Sequence, residues 1–376
     1  SWATVPVSFH GSRLNTDHGA SGLELSAADL AAIARFPLIT LEKWQGVNAS
    51  RTGVPLFAWE EDAWIVAARQ IKRANPAASV VVWMDTMLIY TGWNWPDTAG
   101  MGTNHTLNPD ATEPCSAGHF RSAEFLETEG RSFLLKNRSG LPALYSPYGN
   151  CHVYDHSQSR VRQYWKEMCL NLTDSGVIDG CGADFSGVGV NSWNDSEALQ
   201  NELVLDRATA VAWTAGHRQM MRETTAALGD GLLVGKDAEE LGDGGHNSDY
   251  HVNAVLDECC YAHNDTVNRL RNLTATSRRL NRRLVYQCHY ATPVLRLLAA
   301  FLIGAGDDHY FTVGGWGGGE QGFPDHWSAL FDKPLGRPLA DALYDGATGE
   351  WTRSFARGTN VSWNAITENG TISWAT

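Results

Sequence analysis

The run Ser79–Asp85 (SVVVWMD) decides how this chain is read. Apolar residues fill it almost without interruption, the mark of a strand buried on both faces, as in a parallel sheet covered by helices. A carboxylate, Asp85, closes it. Upstream, Asp62–Ala74 (DAWIVAARQIKRA) has helical spacing and stops before Pro76. Earlier still, an amphipathic stretch at Ala27–Arg35 leads into a short apolar run, Phe36–Glu42 (FPLITLE).

Downstream, a polar segment rich in Gly, Trp, Asn and Thr, Thr86–Gly130, is too long for a plain connection and reads as a functional loop or insertion. A weaker strand follows at Leu141–Ser146 (LPALYS). The alternation then becomes regular: helix at Ser159–Leu172, strand at Val177–Phe185 (VIDGCGADF), helical region at Glu197–Leu228, and strands at Gly231–Asp237 (GLLVGKD) and Asn253–Glu258 (NAVLDE). Helix Thr266–Arg282, strand Arg283–His289 (RLVYQCH), helix Pro293–Ile303 and strand Asp308–Val313 (DHYFTV) complete it. Strands beginning near 37, 79, 141, 177, 231, 253, 283 and 308 predict a (β/α)8 TIM barrel over residues 1–319, with the insertion near 86–140. No GxGxxG follows the first strand, which disfavours a dinucleotide-binding open sheet. Residues 320–376 are turn-rich with short alternating runs and predict a small β-rich C-terminal appendage packed on the barrel.

Composition narrows the function. Apolar residues make up 43% and charged residues 19% of the 376, enough for a large core. The net charge of −13 argues against a nucleic-acid partner, because phosphate neutralisation needs an excess of Lys and Arg. The longest apolar candidate, Val294–Ala305, is too short for a bilayer and contains Arg296, so no membrane span is expected. Nine Asn-x-Ser/Thr acceptors, at Asn48, Asn104, Asn137, Asn171, Asn194, Asn264, Asn272, Asn360 and Asn369, exceed chance and predict a secreted, extracellular N-glycosylated protein. The start at Ser1, with no signal-peptide pattern, reads as a processed form.

Seven cysteines without zinc-site spacing fit an oxidising compartment. Cys288 is within geometric reach of Cys259 or Cys260, since adjacent strands lie about 4.8 Å apart. Cys115 and Cys151 flank the insertion, which leaves Cys169 and Cys181 as the remaining pair. The odd count leaves one thiol free or paired outside the chain, which admits self-assembly.

Barrel enzymes place their chemistry at the C-terminal strand ends. Here those ends are acidic repeatedly: Glu42, Asp85, Asp184, Asp237 (with Glu239 and Glu240 beyond), and Asp257 with Glu258. One such residue is ordinary capping, but five of the eight strand ends read as an acidic cleft. Paired carboxylates with Trp, Tyr and His, and no metal or nucleotide motif, point to glycoside hydrolysis without a cofactor. Trp44, Trp93, Trp95 and Trp316 are candidate platforms for a carbohydrate ligand, and Glu42, Asp85 and His289 candidates for its hydroxyls, although Glu42 also has Lys43 beside it as a partner. His152 is a further candidate, and Asp179 reads equally as a buried structural carboxylate. The clusters Asp307–His309 and Asp243–His246 resemble metal sites in composition alone.

The phrase GVIDGCGADFSG (Gly176–Gly187) and the tail PLGRPLADALYDGATGEWTRSFARGTNVSWN (Pro334–Asn364) resemble those of secreted TIM-barrel glycoside hydrolases. The resemblance runs from about Phe36 onward. It implies that Asp184 is the nucleophile or base and that the acid comes from the fifth or sixth strand, Glu258 first and Asp237 or Glu239 next. The small residues Cys181-Gly182-Ala183 are expected to leave room for substrate beside Asp184. Two other functions fit the same residues. One is a non-enzymatic structural or sugar-binding glycoprotein on a hydrolase-like barrel. The other is a polysaccharide lyase using Tyr286 or His289 as base.

Overall fold

The computed structural model describes residues 2–11, 24–43, 60–89, 121, 131–145, 151–184, 201, 203–236, 252–257, 283–288, 294–313 and 327–375. The chain opens with β1 (Val7–Gly11), α1 (Ala27–Ile33), β2 (Leu38–Leu41), α2 (Glu60–Ala74) and β3 (Ser79–Asp85). A small sheet follows, from β4 (Leu88–Ile89), β5 (Leu144–Tyr145) and β6 (Cys151–Val153). Next come α3 (Ser159–Thr173), β7 (Gly180–Asp184), α4 (Arg207–Leu228), β8 (Leu232–Lys236), β9 (Ala254–Asp257) and β10 (Arg283–Cys288). Last come α5 (Val294–Gly304), β11 (His309–Val313) and four strands, β12 (Leu343–Asp345), β13 (Glu350–Ser354), β14 (Asn360–Asn364) and β15 (Asn369–Ser373).

Eight strands close into a barrel in the order β1-β11-β10-β9-β8-β7-β3-β2. Every pair is parallel, so all C-terminal ends emerge at one mouth. The molecule is an α/β barrel. Strand periodicity explains the near-continuous apolar runs. Leu38, Val81, Trp83, Leu232, Val234, Ala254 and Leu256 pack together in the lumen, while alternate residues such as Ile39, Val80, Val82, Leu233 and Val255 join the core shared with the helices. Both faces are therefore dry.

One barrel strand differs from the sequence expectation. Leu141–Ser146 does not enter the barrel; Leu144–Tyr145 pairs antiparallel with β6 in the small sheet. The eighth place belongs to β1, Val7–Gly11 (VSFHG), which lies between β11 and β2. Its polar Ser8 and His10 alternate with Val7 and Phe9, which breaks the apolar run that marks the other strands.

The room expected beside Asp184 is also filled. A Cβ at Gly182 would overlap the indole of Trp83, so the small residue admits the lumen tryptophan rather than substrate. Cys181, on the opposite face of β7, forms a disulfide with Cys169 of α3, with Cα atoms 6.0 Å apart. Cys151 is disulfide-bonded as well. Cys115, Cys259 and Cys260 lie outside the described residues, and Cys288 closes β10.

β12 to β15 form an antiparallel sheet in chain order. It packs on α5 through β13, β14 and β15. Arg353 of β13 is buried, and its Nη1 donates to the carbonyls of Leu302, Ile303 and Ala305 at 2.9, 3.2 and 2.7 Å. These carbonyls at the end of α5 have no intrahelical donor, so the sheet supplies the missing hydrogen bonds.

Candidate active site

Six polar side chains gather above the apolar lumen. β1 contributes His10. β2 runs directly into Glu42 and Lys43, β3 ends on Asp85, β7 on Asp184 and β8 on Lys236. Asp85 and Asp184 are register partners on adjacent strands. All six are buried, Asp184 to 2% exposure.

Burial of so many ionisable groups is tolerable only because they are paired. Lys43 Nζ lies 2.6 Å from Asp184 Oδ2 and 3.1 Å from Glu42 Oε1. Lys236 Nζ lies 3.1 Å from Asp184 Oδ1. His10 Nε2 lies 2.6 Å from Glu42 Oε2, and the Lys43 amide donates to Glu42 Oε1 at 2.8 Å. Asp85 Oδ1 accepts from the amides of Met87 and Leu88 at 2.8 and 2.6 Å.

The pairing separates the acidities of the carboxyls. Burial alone would raise Asp184, but the ammonium groups of Lys236 and Lys43 outweigh it and hold the carboxyl well below the ordinary range. Glu42 is likewise lowered, with the charge of Lys43 and the His10 hydrogen bond overcoming its desolvation. Lys43 is raised, because Asp184, Glu42 and Asp85 together outweigh burial. Asp85 goes the other way. Burial, then the charge of Asp184, push it up to about 7 against the opposing pull of Lys43 and the two amides. The mouth thus holds a fixed carboxylate beside a carboxyl that exchanges its proton near neutral pH.

The surrounding helices hold the backbone of these residues. Trp64 of α2 donates its indole N–H to Glu42 O at 3.2 Å, and Trp165 of α3 donates to Asp85 O at 2.9 Å. These tryptophans are structural, and with Trp2, Trp83, Trp213, Trp351 and Trp363 they place seven indoles in the interior. Thr86 donates to Asp184 O at 2.5 Å from its hydroxyl and at 3.1 Å from its amide. His217 Nε2 of α4 meets the Thr86 hydroxyl at 3.1 Å, and His156 Nε2 meets Thr86 O at 2.5 Å. Burial keeps both rings neutral by lowering them, His156 to about 4.

Of the residues expected from sequence, Asp184, Asp85 and Glu42 converge here, and Glu42 does pair with Lys43. Asp237, Glu258, His289, Trp44, Trp93, Trp95 and Trp316 lie outside the described residues. His152 sits on β6 of the small sheet, not on a barrel strand. Asp179 accepts the Val80 amide at 2.7 Å and pairs with Lys72 at 2.6 Å just before β7, away from the mouth. Asp307 accepts the Trp2 indole N–H at 2.8 Å, and His309 Nδ1 accepts the Gly306 amide at 2.8 Å, so this cluster serves a turn. The cluster Asp243–His246 lies outside the described residues. Among the described residues no group of three or more His, Cys, Asp or Glu is arranged to hold a metal.

His10, Lys43 and Lys236 are new to the site. The available signal was phase: in GLLVGK, Lys236 shares the lumen-facing alternation of Leu232 and Val234.

The protein is glycoside hydrolase-like, as a family model over most of its length shows. The family model described as hypothetical glycosyl hydrolase family 15 matches residues 101–359, and the chain belongs to that family. Among curated proteins, none matches the chain. Several solved structures are similar. The maltogenic alpha-amylase AmyB of Thermotoga neapolitana is 10% identical with a TM-score of 0.50, over 96% of this chain and 86% of that one. The glycoside hydrolase domain of PelA from Pseudomonas aeruginosa is 12% identical with a TM-score of 0.45, over 82% and 95%. The GH36 alpha-galactosidase AgaA of Geobacillus stearothermophilus is 13% identical with a TM-score of 0.47, over 96% of this chain and 47% of that one. At 10% identity the likeness to AmyB concerns the fold alone.

Proposed function

We propose that the protein is a secreted glycoside hydrolase acting on a poly- or oligosaccharide at the C-terminal mouth of a (β/α)8 barrel, with residues 320–376 as its appendage. The observation that carries this reading is the division of labour between neighbouring carboxyls. Asp184 is held ionised by Lys43 and Lys236, and Asp85 beside it titrates near neutral pH. Glycosidic cleavage needs such a division: one carboxylate to meet the anomeric carbon or activate water, and one acid to protonate the leaving oxygen. Asp184 takes the first role. Asp85 is the described carboxyl suited to the second, and Glu258, the residue after β9, and Asp237, the residue after β8, are the alternative donors. Glu42 and Asp85 line the sugar site, and Trp44, Trp93, Trp95, His289 and Trp316 complete it. Exposed sequons and a buried disulfide support secretion.

A second reading, a non-enzymatic sugar-binding glycoprotein, draws on one feature: both Asp184 oxygens are engaged by lysines in a buried setting. A panel of 4-nitrophenyl glycosides and soluble polysaccharides separates the two. Turnover by the folded glycoprotein supports the hydrolase. Sugar binding by calorimetry without release of product supports the second reading.

A further inference from the structure

β1 brings to the mouth a group that the reaction described above does not use. His10 alternates with Phe9, which packs in the outer core, and its ring meets the lumen indole of Trp83 edge-on with centroids 5.1 Å apart. Its Nε2 lies 2.6 Å from Glu42 Oε2. Glu42 is held ionised and accepts only, so Nε2 carries the hydrogen. With Nε2 engaged by Glu42, the other ring nitrogen, Nδ1, is the polar atom left for a different partner. That Nδ1 is buried and has no hydrogen-bond partner among the described residues. An orphaned buried polar atom of this kind costs a fold about 1–3 kcal/mol.

The ring is not free to turn away from this arrangement. Glu42 is fixed in its turn by the Lys43 amide at 2.8 Å and by Lys43 Nζ at 3.1 Å, and the same Nζ reaches Asp184 at 2.6 Å. His10, Glu42, Lys43 and Asp184 therefore form one continuous chain of hydrogen bonds and ion pairs. The chain sets both the orientation of the imidazole and its place relative to the Asp184 carboxylate. A phenylalanine would fill the same volume with no orphaned nitrogen, so packing alone does not account for a histidine here.

We propose that His10 is a substrate-binding residue whose Nδ1 hydrogen-bonds one sugar hydroxyl, with Glu42 as the positioning residue that fixes the orientation of its ring. The inference rests on the glycoside hydrolase reading and adds a specificity element to it: one hydroxyl of the bound sugar is required.

The test starts from whichever 4-nitrophenyl glycoside the wild type cleaves, together with its set of monodeoxy analogues. Loss of one hydrogen bond predicts about a tenfold or larger fall in kcat/KM for His10→Phe. One deoxy analogue should show the same fall with the wild type and no additional fall with His10→Phe. His10→Asn, whose amide keeps a hydrogen-bonding atom near the position of Nδ1, should recover part of the loss. The inference is overturned if folded His10→Phe works within twofold of the wild type, or if all deoxy analogues lose equally in both proteins. Should His10→Phe not fold, 15N spectra of the wild type decide. The Nδ1 resonance of His10 should move on titration with the monosaccharide released from that glycoside, and an unmoved resonance at saturation rejects the contact. A wild type that cleaves no glycoside overturns the hydrolase reading itself, whatever His10 does.

Discussion

Lys43 Nζ is shared by two buried carboxylates, 2.6 Å from Asp184 Oδ2 and 3.1 Å from Glu42 Oε1. One ammonium thereby joins the end of β7 to the residue after β2, with β3 between them in the barrel. The arrangement makes Lys43 an integral part of the mouth, and its removal leaves uncompensated negative charge in a dry setting.

Replacement of Lys43 by methionine should therefore destabilise the protein by about 3–5 kcal/mol, the usual cost of breaking a buried pair from one side. Chemical denaturation measures this. Combining Lys43→Met with Asp184→Asn should recover part of the loss, because the two residues are in contact and their effects do not add.

The Asp85 carboxyl should titrate near pH 7 by isotope-edited infrared spectroscopy. After burial, the charge of Asp184 is the largest contribution raising it, so Asp184→Asn should move the Asp85 titration downward, toward the ordinary carboxylate range. An unchanged midpoint would show that the two carboxyls do not interact.

His156 predicts a pH effect of definite sign. Its folded-state value is lowered from 6.5 to about 4, chiefly by burial. The unfolded chain takes up a proton first as pH falls, so the neutral ring's contribution is complete above pH 6.5 and is lost progressively toward pH 4. Measured by denaturation, the wild type should lose on the order of 3 kcal/mol relative to His156→Gln between pH 7 and 4. A constant difference across that range would contradict a buried neutral ring.

Secretion predicts glycans. Asn171 on α3 and Asn369 at the start of β15 are both exposed. Intact mass before and after enzymatic removal of N-glycans, on protein from a secreting eukaryotic host, should show both occupied. Unmodified asparagine at both would count against the secretory assignment.

The barrel was legible where strands are dry on both faces. SVVVWMD and GLLVGK announce themselves because lumen and helix sides are both apolar until the mouth. VSFHG does not, because Ser8 and His10 put polar atoms inside: the Ser8 hydroxyl meets Thr312, and His10 meets Glu42. Missing that strand meant missing His10. The carboxylates were legible because strand ends are acidic in turn. Lys43 and Lys236 were not, since a lysine beside an acid in sequence reads as a solvated pair and only the closed barrel turns both inward. Tryptophan was ambiguous for a similar reason: an indole N–H that ties a helix to a strand end, as Trp64 and Trp165 do, has the same composition as a sugar platform.

The central claim is that the ionised Asp184 carboxylate performs the glycosidic cleavage. It is tested most directly by kcat on the glycoside the wild type turns over, compared with Asp184→Asn and with Asp184→Glu, which keeps the charge between Lys43 and Lys236 but moves the carboxylate by one methylene. The account predicts that both variants fold, by circular dichroism, and that each loses about a thousandfold or more in kcat. Either variant retaining kcat within tenfold of the wild type would contradict it.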